Sequence, residues 1–164
     1  NVPGRTSVNM LPETTARLSE IKNIAGIKEA TGDLKSVSDV IEYSRKGFIV
    51  LSGDDFTTLP LLTLGGHGVI SVTSNIVPRD VSEMVRLFFT GDMEGARRLH
   101  YRLQSLHRSM FIETNPIPVK TALSLMGMMD EEFRLPLVRL SDANRKKLKG
   151  ALRSYGIKLR KAAR

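Results

Sequence analysis

The sequence predicts an α/β fold: a parallel sheet with helices packed against it, followed by an all-helical region. Three observations carry this. Short apolar runs alternate with helical periodicity at a repeat of about 20–25 residues in the first half. Those runs are nearly continuous in apolar residues, as strands of a covered parallel sheet are. After Pro78 the alternation stops, and only helical patterns follow. The expected division is residues 1–79 for the sheet-bearing part and 80–164 for the helical part.

Asn1-Val2-Pro3-Gly4-Arg5-Thr6 is turn chemistry, with no strand ahead of it. Pro12 and Glu13 suit the first turn of a helix reaching about Lys22. Gly26-Ile27-Lys28-Glu29 then reads as a buried strand, and Thr31-Gly32-Asp33 turns the chain into a helix that Asp33 caps. Leu34, Val37, Val40 and Ile41 share one face of that helix. Phe48–Leu51 is the second strand, ending in Ser52-Gly53-Asp54-Asp55. Pro60 makes the next helix begin near Thr58 or bend. Gly68–Val72 is the third strand, followed by Thr73-Ser74-Asn75.

In parallel α/β folds, function collects at the C-terminal ends of the strands. Lys28, Gly53-Asp54-Asp55 and Thr73-Ser74-Asn75 are expected on one such rim. A lysine in a strand covered on both faces loses hydration, which lowers its pKa and makes it a nucleophile able to form a Schiff base with a carbonyl. Against this stands the ordinary reading, in which the side chain reaches water at a strand end and performs no chemistry.

Beyond Pro78, Asp80 is expected to cap a helix with Val81, Met84, Val85 and Phe88 inward, and Asp92 a longer one with Ala96, Leu99, Leu103, Leu106 and Met110. Pro118 starts a third that ends at Gly127, and Ser141 opens a last one with Leu148 and Leu152 buried. These leucines and methionines read as packing residues.

Other chemistries find little support. There is no cysteine, hence no disulfide or thiolate site. His67 in Gly-Gly-His-Gly reads as structural, and His100 and His107, seven apart on one helix, are too distant to share a metal ion. Helix capping accounts for at least one of Asp54 and Asp55, so no metal or other cofactor is expected. Phosphate-binding loops and a serine nucleophile elbow are absent. No stretch approaches the ~20 apolar residues of a membrane span, and a cytoplasmic location is expected. The net charge of +8 is local: residues 145–164 hold nine Lys/Arg and no acid, leaving 16 basic against 17 acidic residues elsewhere. That charged tail reads as solvated rather than as a nucleic-acid interface.

Five stretches, in order, resemble the dihydrodipicolinate synthase family (4-hydroxy-tetrahydrodipicolinate synthase). They are Asn1–Thr6, Gly26-Ile27-Lys28-Glu29-Ala30-Thr31-Gly32, Leu51-Ser52-Gly53-Asp54-Asp55, Gly65-Gly66-His67-Gly68-Val69-Ile70-Ser71 and Asn115-Pro116-Ile117-Pro118-Val119-Lys120. The resemblance implies the C-terminal half of a (β/α)8 TIM barrel followed by an α-helical C-terminal domain. It also implies condensation of pyruvate with L-aspartate 4-semialdehyde, on the route to diaminopimelate and lysine. Lys28 would be the Schiff-base lysine and Arg5 the arginine that binds a substrate carboxylate and orders the site. Ile70, through its carbonyl, and Gly53 would line the substrate pocket, with Thr31, Asp54 and Asn115 as weaker matches. The family is usually a homotetramer. Relatives such as N-acetylneuraminate lyase and keto-deoxy sugar-acid aldolases share the lysine; Arg5 in its motif favours the synthase. The family's N-terminal half, with its tyrosines and pyruvate-binding threonine pair, has no counterpart here. The chain is therefore expected to need that half for activity, or else to be an inactive half-barrel that self-associates.

Overall fold

The computed structural model describes residues 1–160; Lys161 to Arg164, the end of the basic tail, lie outside the described residues. The chain forms two compact units. The first comprises Asn1–Ser71 with Met84–Arg97, the second Val72–Glu83 with Arg98–Arg164. The division thus falls after Ser71, and the segment from Met84 to Arg97 belongs with the sheet.

The first unit is built on three parallel strands in the order β1-β2-β3: β1 Gly26–Glu29, β2 Ile49–Ser52 and β3 Gly68–Val69. Gly26 pairs with Ile49, Lys28 with Leu51, and Leu51 with Gly68. The third strand is shorter than the Gly68–Val72 run suggested, although the Ile70 amide still donates to the Ser52 carbonyl at 2.8 Å. The first residue joins the sheet as well. The Asn1 backbone nitrogen donates to the Lys28 carbonyl at 2.9 Å, and the Ala30 amide donates to the Asn1 carbonyl at 2.9 Å. The two bonds follow the staggered pattern of a parallel ladder, so Asn1 lies against β1 just ahead of the turn. The turn follows as a single helical turn, α1 Pro3–Thr6, and then α2 Pro12–Ser19, which stops short of Lys22.

Helix α3, Leu34–Tyr43, is capped as its sequence required: the Asp33 carboxylate accepts the Lys35 and Ser36 amides at 2.9 and 3.3 Å. Helix α4, Thr58–Thr63, begins at Thr58, so Pro60 falls in its first turn and does not bend it. The core of this unit joins Val37 and Val40 of α3, Phe48 and Val50, and Leu61 of α4, with Ile27 packed beside them. Ile27 and Val50 therefore face the helices. Side chains alternate along a strand, so Lys28, Ile49 and Leu51 project from the other face. That face is open: Lys28 is exposed, and Ile49 and Ile70 are 40% and 48% exposed. The expectation of a sheet covered on both faces is corrected here: α3 and α4 pack on the Ile27 and Val50 side, and Lys28 on the other is left exposed.

Helix α5, Pro78–Phe89, passes from the second unit into the first, and α6, Met93–Met110, passes back. Asp92 caps α6 through the Gly95 amide at 2.8 Å. Asp80 lies inside the first turn of α5, where it accepts the Tyr155 hydroxyl at 2.5 Å; it is not that helix's N-cap. The second unit adds α7 Ile117–Met126 and α8 Asp142–Tyr155. Gly127 ends α7 with a φ of 79°, a left-handed cap that strains other residues. Leu106, Met110, Ile117, Val119, Ala122, Leu148 and Leu152 make its core. Among the described residues, no helix is long and apolar enough to cross a membrane.

Candidate active site

Of the predicted site residues, Lys28, Thr31, Gly53, Asp54 and Ile70 lie at or just past strand ends. Lys28 is the third residue of β1 and stands on the open face of the sheet. The desolvation expected of it is not present in this chain: β1 buries Glu29 rather than Lys28. Gly53, just past β2, is shaped around the lysine. A Cβ there would lie 2.5 Å from the Ala30 Cβ and 2.9 Å from the Lys28 Cε. The glycine thus leaves room for the lysine stem, and any larger residue would displace it.

Asp54 and Thr31 occupy the same rim. Asp54 caps the short 3-10 turn Asp55–Thr57, its carboxylate accepting the Phe56 amide at 3.1 Å. Burial pushes the Asp54 carboxyl above its ordinary pKa, and the neighbouring Asp55 charge adds to this; the Phe56 amide and the Thr57 hydroxyl act the other way. Asp55 is buried and accepts the Ser71 hydroxyl. Both carboxylates are engaged within the protein, and one of them, Asp54, is the cap. Thr31 accepts the Asp33 amide at 3.1 Å and so shapes the turn after β1. Across from it, a Cβ at Gly32 would lie 3.5 Å from an Asp54 carboxylate oxygen.

Ile70 continues β3 beside β2 on the open face. Arg5 is exposed in α1 and belongs to the first unit. Asn115 belongs to the second unit, half-buried before a cis bond to Pro116. Thr73 also belongs to the second unit, and it is buried: its hydroxyl lies 2.8 Å from His107 Nδ1. It is a packing residue of the second unit. His67 is structural as expected, its Nδ1 accepting the Val50 amide at 3.2 Å. Among the described residues, no three His, Asp or Glu side chains converge as a metal site.

Sequence reading passed over Glu29. Its carboxylate is 2% exposed and accepts the Thr31 amide at 2.8 Å and the Asn1 side-chain amide at 3.1 Å. The signal was available: in a strand with one open face, Lys28 and Glu29 must point to opposite sides.

Residues 1–155 match the dihydrodipicolinate synthetase family. The chain belongs to that family. The 4-hydroxy-tetrahydrodipicolinate synthase of Thermodesulfovibrio yellowstonii is 60% identical over 157 residues, covering 96% of this chain and 54% of the relative. Dihydrodipicolinate synthase from Aquifex aeolicus superposes with a TM-score of 0.95 at 44% identity, over 98% of this chain and 55% of that one. The chloride-inhibited dihydrodipicolinate synthase from Acinetobacter baumannii, solved complexed with pyruvate, gives 0.92 at 44% identity, over 96% and 54%. The chain spans about half the length of the curated relatives it matches. Within the dihydrodipicolinate synthetase fold, its three strands and their helices are a part of the (β/α)8 barrel, and its second unit is helical, as the resemblance implied.

Proposed function

We propose that this chain supplies the Schiff-base lysine of a 4-hydroxy-tetrahydrodipicolinate synthase, a lyase that condenses pyruvate with L-aspartate 4-semialdehyde. The observation that carries the proposal is Lys28 at the C-terminal end of a parallel strand, on the open face, with Gly53 clearing its path. The Lys28 amine attacks the pyruvate ketone, and loss of water gives an imine. The imine draws electrons from the methyl group, which gives up a proton to solvent and leaves an enamine carbon. That carbon attacks the aldehyde, and the new amine-bearing chain cyclises as it leaves Lys28. Arg5 binds the second substrate's carboxylate through a planar, two-pronged donor. Ile70, Gly53, Thr31, Asp54 and Asn115 contribute to binding. Neither a metal nor another cofactor has a part in this scheme.

Activity belongs to this chain together with the portion of the family fold that it does not span. Three strands do not close a barrel, and the open face leaves Lys28 in water. A cytoplasmic location and a homo-oligomeric assembly go with this reading. The test is borohydride reduction with pyruvate, followed by intact-mass analysis. The 164-residue chain, mixed with the N-terminal part of the Thermodesulfovibrio yellowstonii relative, is expected to gain one pyruvyl adduct at Lys28. An adduct that persists in Lys28→Ala overturns the assignment. The second reading is an inactive module that self-associates, favoured by the exposed Ile49 and Ile70. It predicts a stable oligomer with no adduct, with or without the complement.

A further inference from the structure

Glu29 directly follows the lysine, on the opposite side of the strand. A buried carboxylate is costly unless donors meet it, and here each oxygen has one. Oε1 accepts the Thr31 amide at 2.8 Å and Oε2 accepts the Asn1 Nδ2 at 3.1 Å. Asn1 carries the connection onward. Its side-chain amide also donates to the Asn9 Oδ1 at 2.8 Å and to the Met10 carbonyl at 3.3 Å, while its Oδ1 accepts the Met10 amide at 3.0 Å. Its backbone is paired to β1 on both sides of Glu29. Residues 1–10 therefore form a loop whose two ends meet at one amide group, and Arg5 lies inside that loop.

We propose that Glu29 is a positioning residue: acting through Asn1, it locks the loop that carries Arg5 onto the strand that carries Lys28. This rests on the roles proposed above for those two residues. The chemistry asks for a carboxylate. Both oxygens at position 29 must accept, one from each side, and an amide has a single acceptor oxygen. In Glu29→Gln the NH2 would face either the Thr31 amide or the Asn1 amide, donor against donor. One end of the lock would open, while the lysine, on the other face, would keep its setting. Misplacing a binding group by about 1 Å costs up to a hundred-fold in rate, so the loss should appear in the step that uses Arg5.

Two measurements test this. In the 164-residue chain, Glu29→Gln is expected to speed hydrogen exchange at the Met10 and Thr31 amides by about ten-fold or more, with the amides of Val37 to Val40 unchanged. Unchanged exchange at Met10 and Thr31 overturns the lock. If Glu29→Gln also frees the α3 amides, Asn1→Ala decides in its place: Met10 should loosen and Thr31 stay protected, and an unmoved Met10 overturns the proposal. In the complemented enzyme, Glu29→Gln should trap pyruvate at Lys28 within about two-fold of the parent, while KM for L-aspartate 4-semialdehyde rises about ten-fold or more. A variant that saturates with the aldehyde as the parent does overturns the positioning role. If the parent itself forms no adduct, the functional reading fails, and the exchange experiment still decides the lock.

Discussion

At the scale of single residues, Lys28 and Asp54 make opposite demands. Lys28 is exposed and packs no core, so Lys28→Ala should remove the pyruvyl adduct while changing stability by no more than about 0.5 kcal/mol; paired trapping and urea melts check both. Asp54 is a cap whose carboxyl is raised by burial. A carboxyl raised in the folded state contributes most below its unfolded pKa, and that contribution is lost as pH climbs through the folded value. Asn keeps the acceptor for the Phe56 amide without the charge. Asp54→Asn should therefore gain stability relative to the parent as pH rises from about 3 to 7, read as a growing difference in urea midpoint. That one of Asp54 and Asp55 is a cap was legible from Ser52-Gly53-Asp54-Asp55 alone; which of the two was not. The exposure of Lys28 was not, because Ile27 and Glu29 beside it read equally well as a strand buried on both sides. Only the number of strands and the side the helices take decide which faces are covered.

At the scale of elements, α8 is fixed by two different means. Leu148 and Leu152 are buried without residue in the core of the second unit. Leu152→Ala should cost about 2–5 kcal/mol in chemical denaturation. The start of α8 is held from outside by Glu113, whose carboxylate accepts the Ser141 hydroxyl at 2.7 Å, the Asn144 side chain at 2.8 Å and the Ser141 amide at 3.2 Å. The Ser141 hydroxyl, the Asn144 amide and the Ser141 backbone hold its pKa below the ordinary value. A carboxyl lowered by folding contributes above its unfolded pKa, and the contribution is lost as pH falls through the folded value. The first amides of α8 should thus begin to exchange faster as pH drops below about 4.5, after correction for intrinsic rates, and Glu113→Gln should flatten that dependence. The leucine spacing announced the buried face of α8. Glu113 could not be seen, since 28 residues separate it from Ser141 and only the folded chain joins them. Asp80 misled in the same way: its position suits a cap, and its partner, Tyr155, is 75 residues away.

At the scale of the whole molecule, the order of strands and helices was readable because each element carries its own periodicity, from the Val37–Val40 face to the Leu103–Leu106–Met110 stripe. The pairing of Asn1 with β1 was not, since a single residue has no period. The open face of the sheet sets the behaviour in solution. Ile49 and Ile70 are 40% and 48% exposed, so burying what remains of each would gain about 1 kcal/mol. Sedimentation of the isolated chain is expected to show association that grows with concentration, and Ile49→Lys with Ile70→Lys should weaken it about ten-fold or more. Charge is as unevenly spread as apolar surface. Lys146, Lys147 and Arg153 are exposed on α8, within a stretch of 20 residues that bears nine cations and no acid. To an anionic support the protein therefore presents an electric handle and not a uniform coat. Its retention on a cation exchanger should depend most on those residues, since elsewhere 16 basic residues are balanced by 17 acidic ones, which favours adsorption through α8.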